Sequence, residues 1–432
     1  MIHVPEYKEP QHSRQSESYL TPKKLYLPLI QHTGKPSRLC VSEGSTVEEG
    51  SVLAERDGLI SAALHAPKNG KIDRITSFPH PLCGRAQTIC MTCAPSARSY
   101  SLRYNALAQS GEELIERLQH SGIVGMGGAS FPTHVKAAPP KPITTLILNG
   151  CECEPFLSAD YRLMWERAEE ILKGTEVLCR LLKPRKVILA VESHTQPVCE
   201  HIRSVAANGS IRLPDFELRI LPSRYPQGGE KQLIRALTGR EVPPKNLPLD
   251  VGCMVQNVAT CVAVYEAVYL SKPLIERLVC FCGDAVKEPK NVWVKIGTTL
   301  QELVEEKVIE LEDSLRKIVC GGPMMGTALD GLHYPILKGT GGFLFLSESF
   351  LRDEESPCIR CGRCVDACPM NLAPLEYVKR ITRGEYGTLS DYYIEDCIEC
   401  GACTYVCPAR IPLVHYIRLG KQRLRAQTPL KK

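Results

Sequence analysis

Two cysteine runs constrain this chain more than any other feature. They read Cys358-x2-Cys361-x2-Cys364-x3-Cys368-Pro369 and Cys397-x2-Cys400-x2-Cys403-x3-Cys407-Pro408. Three closely spaced cysteines can wrap one iron–sulfur cube. The fourth, about a helical turn away and before proline, points to the neighbouring cube. The spacing therefore predicts two [4Fe-4S] clusters with crossed ligands. Cys358, Cys361, Cys364 and Cys407 are expected to hold one, and Cys397, Cys400, Cys403 and Cys368 the other. Gly362 and Gly401 let the backbone pass close to sulfur, where N–H groups tune the potential. Paired zinc sites, which favour separated C-x2-C pairs, fit this pattern poorly. All positions on each cluster are filled, so the tail suits one-electron relay rather than substrate chemistry at iron.

The cysteine count sharpens this reading. Of 21 cysteines in 432 residues, eight lie in those two runs. The opening MIHVPEYKEPQHSRQ has no apolar signal core, so a reducing cytoplasmic setting is expected, where clustered cysteines bind metal rather than form disulfides. No stretch reaches 18 apolar residues. The longest run, Val251 to Tyr265, contains Gln256, Asn257 and Thr260. A membrane-spanning helix is not expected. A net charge of +5 gives no sign of a nucleic-acid partner. The other cysteines, including Cys90-x2-Cys93 and Cys280-x-Cys282, read as small buried hydrophobes. The segment after Pro408 carries seven Lys/Arg and no Asp/Glu. It suits either a solvated tail or a face toward anionic lipid or an acidic partner.

Four segments follow from the patterning, giving a multidomain α/β chain. Residues 1–105 show short alternating runs. Turns are expected at Glu43-Gly44, Glu49-Gly50, Asp57-Gly58 and Asn69-Gly70. This resembles the barrel-sandwich fold of biotinyl and lipoyl domains. The tip Arg56-Asp57-Gly58-Leu59 lacks their lysine, so a structural, unlipoylated module is expected. Residues 106–272 alternate strands and helices in a Rossmann-like α/β pattern. Ser110 with Glu113 marks a helix start. Strands are expected at Ile143–Leu148, Lys186–Val191 and Phe216–Leu221, and helices at Leu163–Leu182, Thr195–Ala207, Gly229–Leu237 and Val255–Leu270. Residues 273–348 suit a β-grasp unit, and residues 349–432 form the cysteine-rich, two-cluster ferredoxin-like helical tail.

A glycine loop, Gly122-Ile-Val-Gly125-Met-Gly127-Gly128-Ala-Ser-Phe131-Pro132-Thr-His-Val-Lys136, is a candidate phosphate cradle. Pro132 can open a short helix, and Lys136 adds charge. The loop follows a helix rather than a strand, so it is not a Rossmann fingerprint. Next comes Asn149-Gly150-Cys151-Glu152-Cys153-Glu154-Pro155, at the end of a strand, where parallel sheets place ligands. A solvated turn is the competing reading. These strings resemble the flavin- and NADH-binding domain of the 51-kDa flavoprotein of respiratory NADH dehydrogenase. Tyr225-Pro-Gln-Gly228-Gly229-Glu230 and Gln256-Asn257-Val-Ala-Thr260 fall in the same order as that family's matching segments. The four-part architecture is similar to that of the RnfC family, which belongs to the ion-translocating Rnf electron transport complexes. The string Gly-Gly-Pro-Met-Met-Gly at 321–326 resembles that family too.

The resemblance implies non-covalent FMN and NADH as substrate. Gly125, Gly127 and Gly128 would cradle phosphate, and Lys136 would reach the FMN. Asn149, Glu152 and Glu154 would border flavin and nicotinamide. Glu230 would lie near the nucleotide, Asn257 and Thr260 would contact FMN phosphate, and Phe131 would stack on adenine. Cys151, Gly229, Gln256 and Ala137 depart from the flavoprotein's aspartate, glutamate, asparagine and tryptophan. No catalytic acid or base is implied. The implied enzyme is an NADH-dependent oxidoreductase subunit of an ion-translocating complex. It would be peripheral, on the cytoplasmic face of the bacterial inner membrane. Its partners would be the other Rnf subunits, including the iron–sulfur subunit, with ferredoxin reached through the complex and no nucleic acid. Two rivals are a cobalamin-reductase-like flavin and iron–sulfur protein, and an electron-transfer adaptor that has lost nucleotide binding. The roughly 100 residues before the loop disfavour the first.

Overall fold

A computed structural model describes residues 1–9, 11–95, 98–102, 108–209, 211–350 and 354–427. The chain starts with an extended leader that ends in strand β1 (Glu17–Tyr19). Seven strands follow: β2 (Lys24–Pro28), β3 (Arg38–Leu39), β4 (Thr46–Val47), β5 (Val52–Glu55), β6 (Leu64–His65), β7 (Gly70–His80) and β8 (Gly84–Cys93). They form two sheets, β2-β8-β7-β4 and β3-β5-β6. Alternation puts Leu25, Leu27, Leu53, Ile72, Ile89 and Met91 wholly inside. Gly44, Gly50 and Gly58 take the positive φ their turns need. Gly70 instead begins β7, where a Cβ would come 2.3 Å from Thr92 O.

The central module is a four-stranded parallel sheet in the order β11-β10-β9-β12. Its elements run α1 (Gly111–His120), α2 (Thr133–Lys136), β9 (Thr145–Asn149), α3 (Ala159–Glu166), α4 (Ala168–Leu182), β10 (Lys186–Glu192), α5 (Pro197–Ala207), β11 (Phe216–Leu221), α6 (Glu230–Thr238), β12 (Cys253–Asn257) and α7 (Val258–Tyr269). The Ser110/Glu113 capping box forms in full. The helix expected over Leu163–Leu182 is broken at Arg167, which leaves helical geometry and pairs with Glu266 of α7 at 3.1 Å. The helix expected from Val255 begins at Val258. Val255 to Asn257 extend the sheet in register with Ile147 to Asn149. Helix α7 is buried on every side. It lies so close to α4 that a Cβ on Gly174 would sit 1.9 Å from Cys261 O.

The third module contains β13 (Glu276–Cys282), β14 (Lys290–Lys295), α8 (Leu300–Glu305), β15 (Lys317–Cys320), β16 (Thr327–Leu329) and β17 (Gly342–Leu346). Its sheet order is β1-β14-β13-β17-β15-β16. Strand β1 runs parallel to β14, with Glu17 opposite Val292. The opening hundred or so residues thus serve two modules, with β1 in one and β2 to β8 in the other. The tail carries α9 (Arg363–Asp366), α10 (Pro374–Thr382), α11 (Ala402–Tyr405) and α12 (Leu413–Gln427). Its core gathers Tyr377, Ile381, Leu389, Ile394 and Ile417. No helix among the described residues is long and apolar enough to cross a membrane.

Candidate functional site

Strands β9, β10 and β12 end at one edge of the central sheet, and the glycine loop folds over it. The loop closes on itself, since Gly125 N donates to Phe131 O at 2.9 Å. Met126 N donates to Thr260 Oγ1 at 3.0 Å, which fastens the loop to α7. Gly127 is pressed against Asn257, where a Cβ would lie 2.8 Å from the asparagine Cβ. A Cβ on Gly128 would meet open space. Asn257 caps α7 through Ala259 N at 2.9 Å and donates to Asp160 Oδ2 at 2.5 Å. Lys136 Nζ donates to Val255 O at 2.6 Å and pairs with Glu230 at 3.1 Å. Asn149 Nδ2 holds Gly228 O at 2.9 Å, and its Oδ1 accepts from Cys151 N at 3.0 Å. Pro132 does open a helix, but α2 is a single turn.

Beside this cradle lies a group of enclosed carboxylates. Glu152 accepts from Asp160 N at 3.1 Å and Tyr161 N at 3.3 Å, capping α3 from a distance. Burial pushes its pKa up to about 7, and neighbouring Asp160 adds to the shift. Glu192, at the end of β10, is 2% exposed, and its Oε2 has no hydrogen-bond partner among the described residues. Burial raises it to about 7 as well. Gln227 and Gln256 are also buried, with Nε2 unpartnered. Unsatisfied buried polar atoms at a ligand edge, together with a glycine cradle, fit a polar cofactor such as FMN.

Glu192 gives a direct pH test. Its unfolded pKa is near ~4.3, well below its folded value. The stability it contributes is present below the unfolded value and lost as pH rises through about 7. Glu192→Gln removes the charge, so it raises the thermal midpoint at pH 8 and changes little at pH 4. The gain is on the order of 3–4 kcal/mol at most. An equal effect at both pH values would count against this account.

Glu154 parts from the other expected site residues. Its carboxylate accepts from Met324 N and Met325 N, both at 3.1 Å, and lies 3.2 Å from Tyr225 Oη. Tyr225 Oη is also 2.6 Å from Cys400 O in the tail. The single phenolic proton serves only one of these contacts. The structure therefore turns Glu154 toward the tail, with both oxygens engaged by protein. Gly401 packs against the same place, where a Cβ would lie 2.4 Å from Met324 O. Arg418 Nη2 reaches Met325 O at 3.0 Å, and Gln232 Nε2 reaches Met370 Sδ at 3.0 Å.

The two cysteine runs adopt one geometry twice. Gly362 and Gly401 both have φ 80° before their short helices. Arg360 and Glu399 take φ 56° and 57°, which turns their N–H groups to Cys358 and Cys397 sulfur at 3.4 Å. Cys368 lies apart from its own run. It lines one cavity with Cys397, Cys400 and Cys403, closed by Tyr377, Val414 and Ile417. Burial and these thiol neighbours raise Cys403 to about 12 and Cys400 to about 11. Cys407 neighbours Cys364. Among the described residues, then, Cys368 sits with the second run and Cys407 beside Cys364, an all-sulfur donor set of the kind that suits iron–sulfur cubes. Exposure differs: Cys358 and Cys361 are exposed, Cys403 is buried in the tail's own core, and Cys400 is buried beside Tyr225 of the central module.

Comparison with known proteins matches three parts of the chain. Residues 118–266 match the Nuo51 FMN-binding domain, residues 2–95 the RnfC barrel sandwich hybrid domain, and residues 357–411 a 4Fe-4S dicluster domain. The C-type component of a proton-translocating ferredoxin:NAD(+) oxidoreductase complex from Clostridium ljungdahlii is 40% identical over 365 residues. These are 82% of this chain and 77% of that protein. The chain belongs to the RnfC family of ion-translocating oxidoreductase complexes. A family member from Pseudomonas aeruginosa is 40% identical over 93% of this chain and 52% of its own length. One from Rhodobacter capsulatus is 36% identical over 89% of this chain and 75% of its own length. The chain thus spans from about half to three quarters of these relatives. An NAD+-reducing [NiFe]-hydrogenase in the H2-reduced state superposes with a TM-score of 0.53 at 20% identity. The match covers 76% of this chain and 64% of the hydrogenase chain, a likeness of fold.

Two residues at the edge escape a motif reading. Lys8 sits in a leader without a recognisable pattern, and Glu192 ends an ordinary apolar strand. Lys8 meets Glu152 from 144 residues away, and Glu192 keeps an oxygen without a partner among the described residues, so no local signal marks either. Tyr225 stands in a recognisable motif, but nothing in that string announces contact with a cysteine run.

Proposed function

We propose that the chain relays electrons between NAD(H), non-covalent FMN and two [4Fe-4S] clusters, as a peripheral subunit on the cytoplasmic face of an ion-translocating membrane complex. The observation that carries this is the direct seam between cradle and tail: Tyr225 Oη lies 2.6 Å from Cys400 O, while Asn149 holds the loop three residues on. When bound, flavin supplies the exchange between a two-electron hydride and single electrons, and the clusters supply single-electron storage. The chain's own residues position them. Gly125, Gly127 and Gly128 give backbone access, Lys136 and Glu230 form a charged rim, and Asn257 and Thr260 fix the loop. Cys358, Cys361, Cys364 and Cys407 would hold one cluster and Cys368, Cys397, Cys400 and Cys403 the other, a reading supported by the cavity the last four share. The exposed first run faces outward, as suits contact with other Rnf subunits, the iron–sulfur subunit among them. Ferredoxin would be reached through the complex. The third module is read as a β-grasp unit joining flavin domain to tail.

Anaerobically reconstituted protein is expected to release FMN on heating and to contain about eight iron. NADH is expected to bleach its flavin absorbance. Flavin and iron without any response to NADH would favour the adaptor reading, which the engaged carboxylate of Glu154 supports. Absence of flavin after reconstitution would overturn both.

A further inference from the structure

The leader binds across the central module on both sides of Lys8. Ile2 and Tyr225 exchange two backbone hydrogen bonds, at 3.0 and 2.8 Å. Glu6 O accepts from Phe156 N at 2.7 Å, and Glu6 pairs with His194 at 3.0 Å. Gln11 Nε2 reaches Phe156 O at 2.8 Å, and Ser16 N reaches Glu166 at 2.8 Å. Tyr7 stacks on Phe156, and His12 on Tyr161. Between these anchors Lys8 is 4% exposed, and its Nζ donates to Glu152 O.

That is its one hydrogen-bond acceptor among the described residues, and no described carboxylate lies within ion-pair distance. An ammonium has three protons to place. A buried cation so poorly partnered is costly unless something else accepts from it. Its charge acts at longer range on the buried carboxylates of Glu192, Glu152, Asp160 and Glu154, which leaves its remaining protons without a direct acceptor among the described residues. Glu192 Oε2 and the Gln227 and Gln256 amides are unpartnered at the same edge. The flavin-binding match covers 118–266, so this cation comes from outside the domain it enters.

We propose that Lys8 is a positioning residue of the flavin site, delivered by the leader, whose fixed positive charge favours the reduced flavin. The inference rests on the flavin reading above. Hydride transfer from NADH moves two electrons and one proton to the flavin, which gains one negative charge as NADH becomes NAD+. A cation held at this edge stabilises that product relative to the neutral oxidised ring, so it raises the midpoint potential. Holding the carbonyl of Glu152, the same ammonium also fixes the turn after β9.

The test uses the full chain, reconstituted anaerobically with FMN, iron and sulfide, as wild type, Lys8→Met and Lys8→Arg. Flavin content and flavin midpoint potential are read by spectroelectrochemistry. Lys8→Met is expected to weaken FMN binding about tenfold and to shift the midpoint to more negative values. Lys8→Arg is expected to keep both near wild type, and iron content should not change. If Lys8→Met holds no flavin while Lys8→Arg does, the charge requirement stands on content alone. A wild-type midpoint in Lys8→Met, or equal flavin loss in both variants, reduces Lys8 to a tether and overturns the inference. Wild type that takes up no flavin instead overturns the flavin reading, and the inference with it.

Discussion

Cys368→Ser is expected to remove the cluster of the other cysteine run. About four of about eight iron should be lost, and the remaining signal should belong to the cluster of Cys358, Cys361 and Cys364. The reason is geometric. Cys368 lines the cavity formed by Cys397, Cys400 and Cys403, and its sulfur accepts from Leu372 N at 3.4 Å within that lobe. Serine is a hard ligand and a poor replacement for thiolate at iron. The buried lobe would then hold three thiols raised by burial and one hydroxyl. Iron analysis with electron paramagnetic resonance reads the result. Disturbance confined to the Cys358 cluster would refute crossed ligation. Cys282→Ser, buried in the third module, serves as a control with full iron.

The second large effect is expected at Gly127. Valine there would place Cβ 2.8 Å from Asn257 Cβ, and 3.1 Å from its Cγ and Nδ2. Asn257 has no room to yield. Its Oδ1 caps α7, and its Nδ2 holds Asp160. The loop must lift instead, which breaks Met126 N to Thr260 and opens the cradle. Overpacking of this kind costs roughly 1–3 kcal/mol. Concentrated on one loop, it should reduce flavin retention more than tenfold while iron content stays whole. Flavin fluorescence after acid release, set beside iron counts, measures both. Normal flavin in Gly127→Val would show that the loop does not hold the cofactor.

Much of this is legible in sequence. The two cysteine runs announce an iron–sulfur tail, because their short, repeated spacing can wrap a cluster, and residues 357–411 match a 4Fe-4S dicluster domain. Strands β9, β10 and β11 are marked by short apolar runs between turns. The start of α7 is not marked in this way. That helix is buried all round, so its apolar run passes into β12 without a change of period. Distance from Asn149 along the chain puts Glu154 at the rim. Its actual partners, Met324 and Met325, lie 170 residues or more away. Lys8 and Glu152 are 144 residues apart. Contacts of that kind come from how modules pack, and no local pattern encodes them.

Strand β1 sets an order of events during synthesis. Its residues leave the ribosome early, yet their pairing partner is Val292 to Val294 in β14. Until most of the chain has emerged, that strand has nothing to bond, and the leader ahead of it must wait for Tyr225 and Glu192's neighbour His194. Closing such a loop costs entropy that grows with the logarithm of its length, and long-range pairing of this sort is slow. The barrel-sandwich module can fold first by itself, since its seven strands pair among themselves. The leader is thus fastened at two stages: its anchors at Phe156, Glu166, His194 and Tyr225 lie in the central module, while β1 waits for the third sheet. The same short segment therefore ties Tyr225 of the flavin-binding region to a strand pairing made some seventy residues later in the chain.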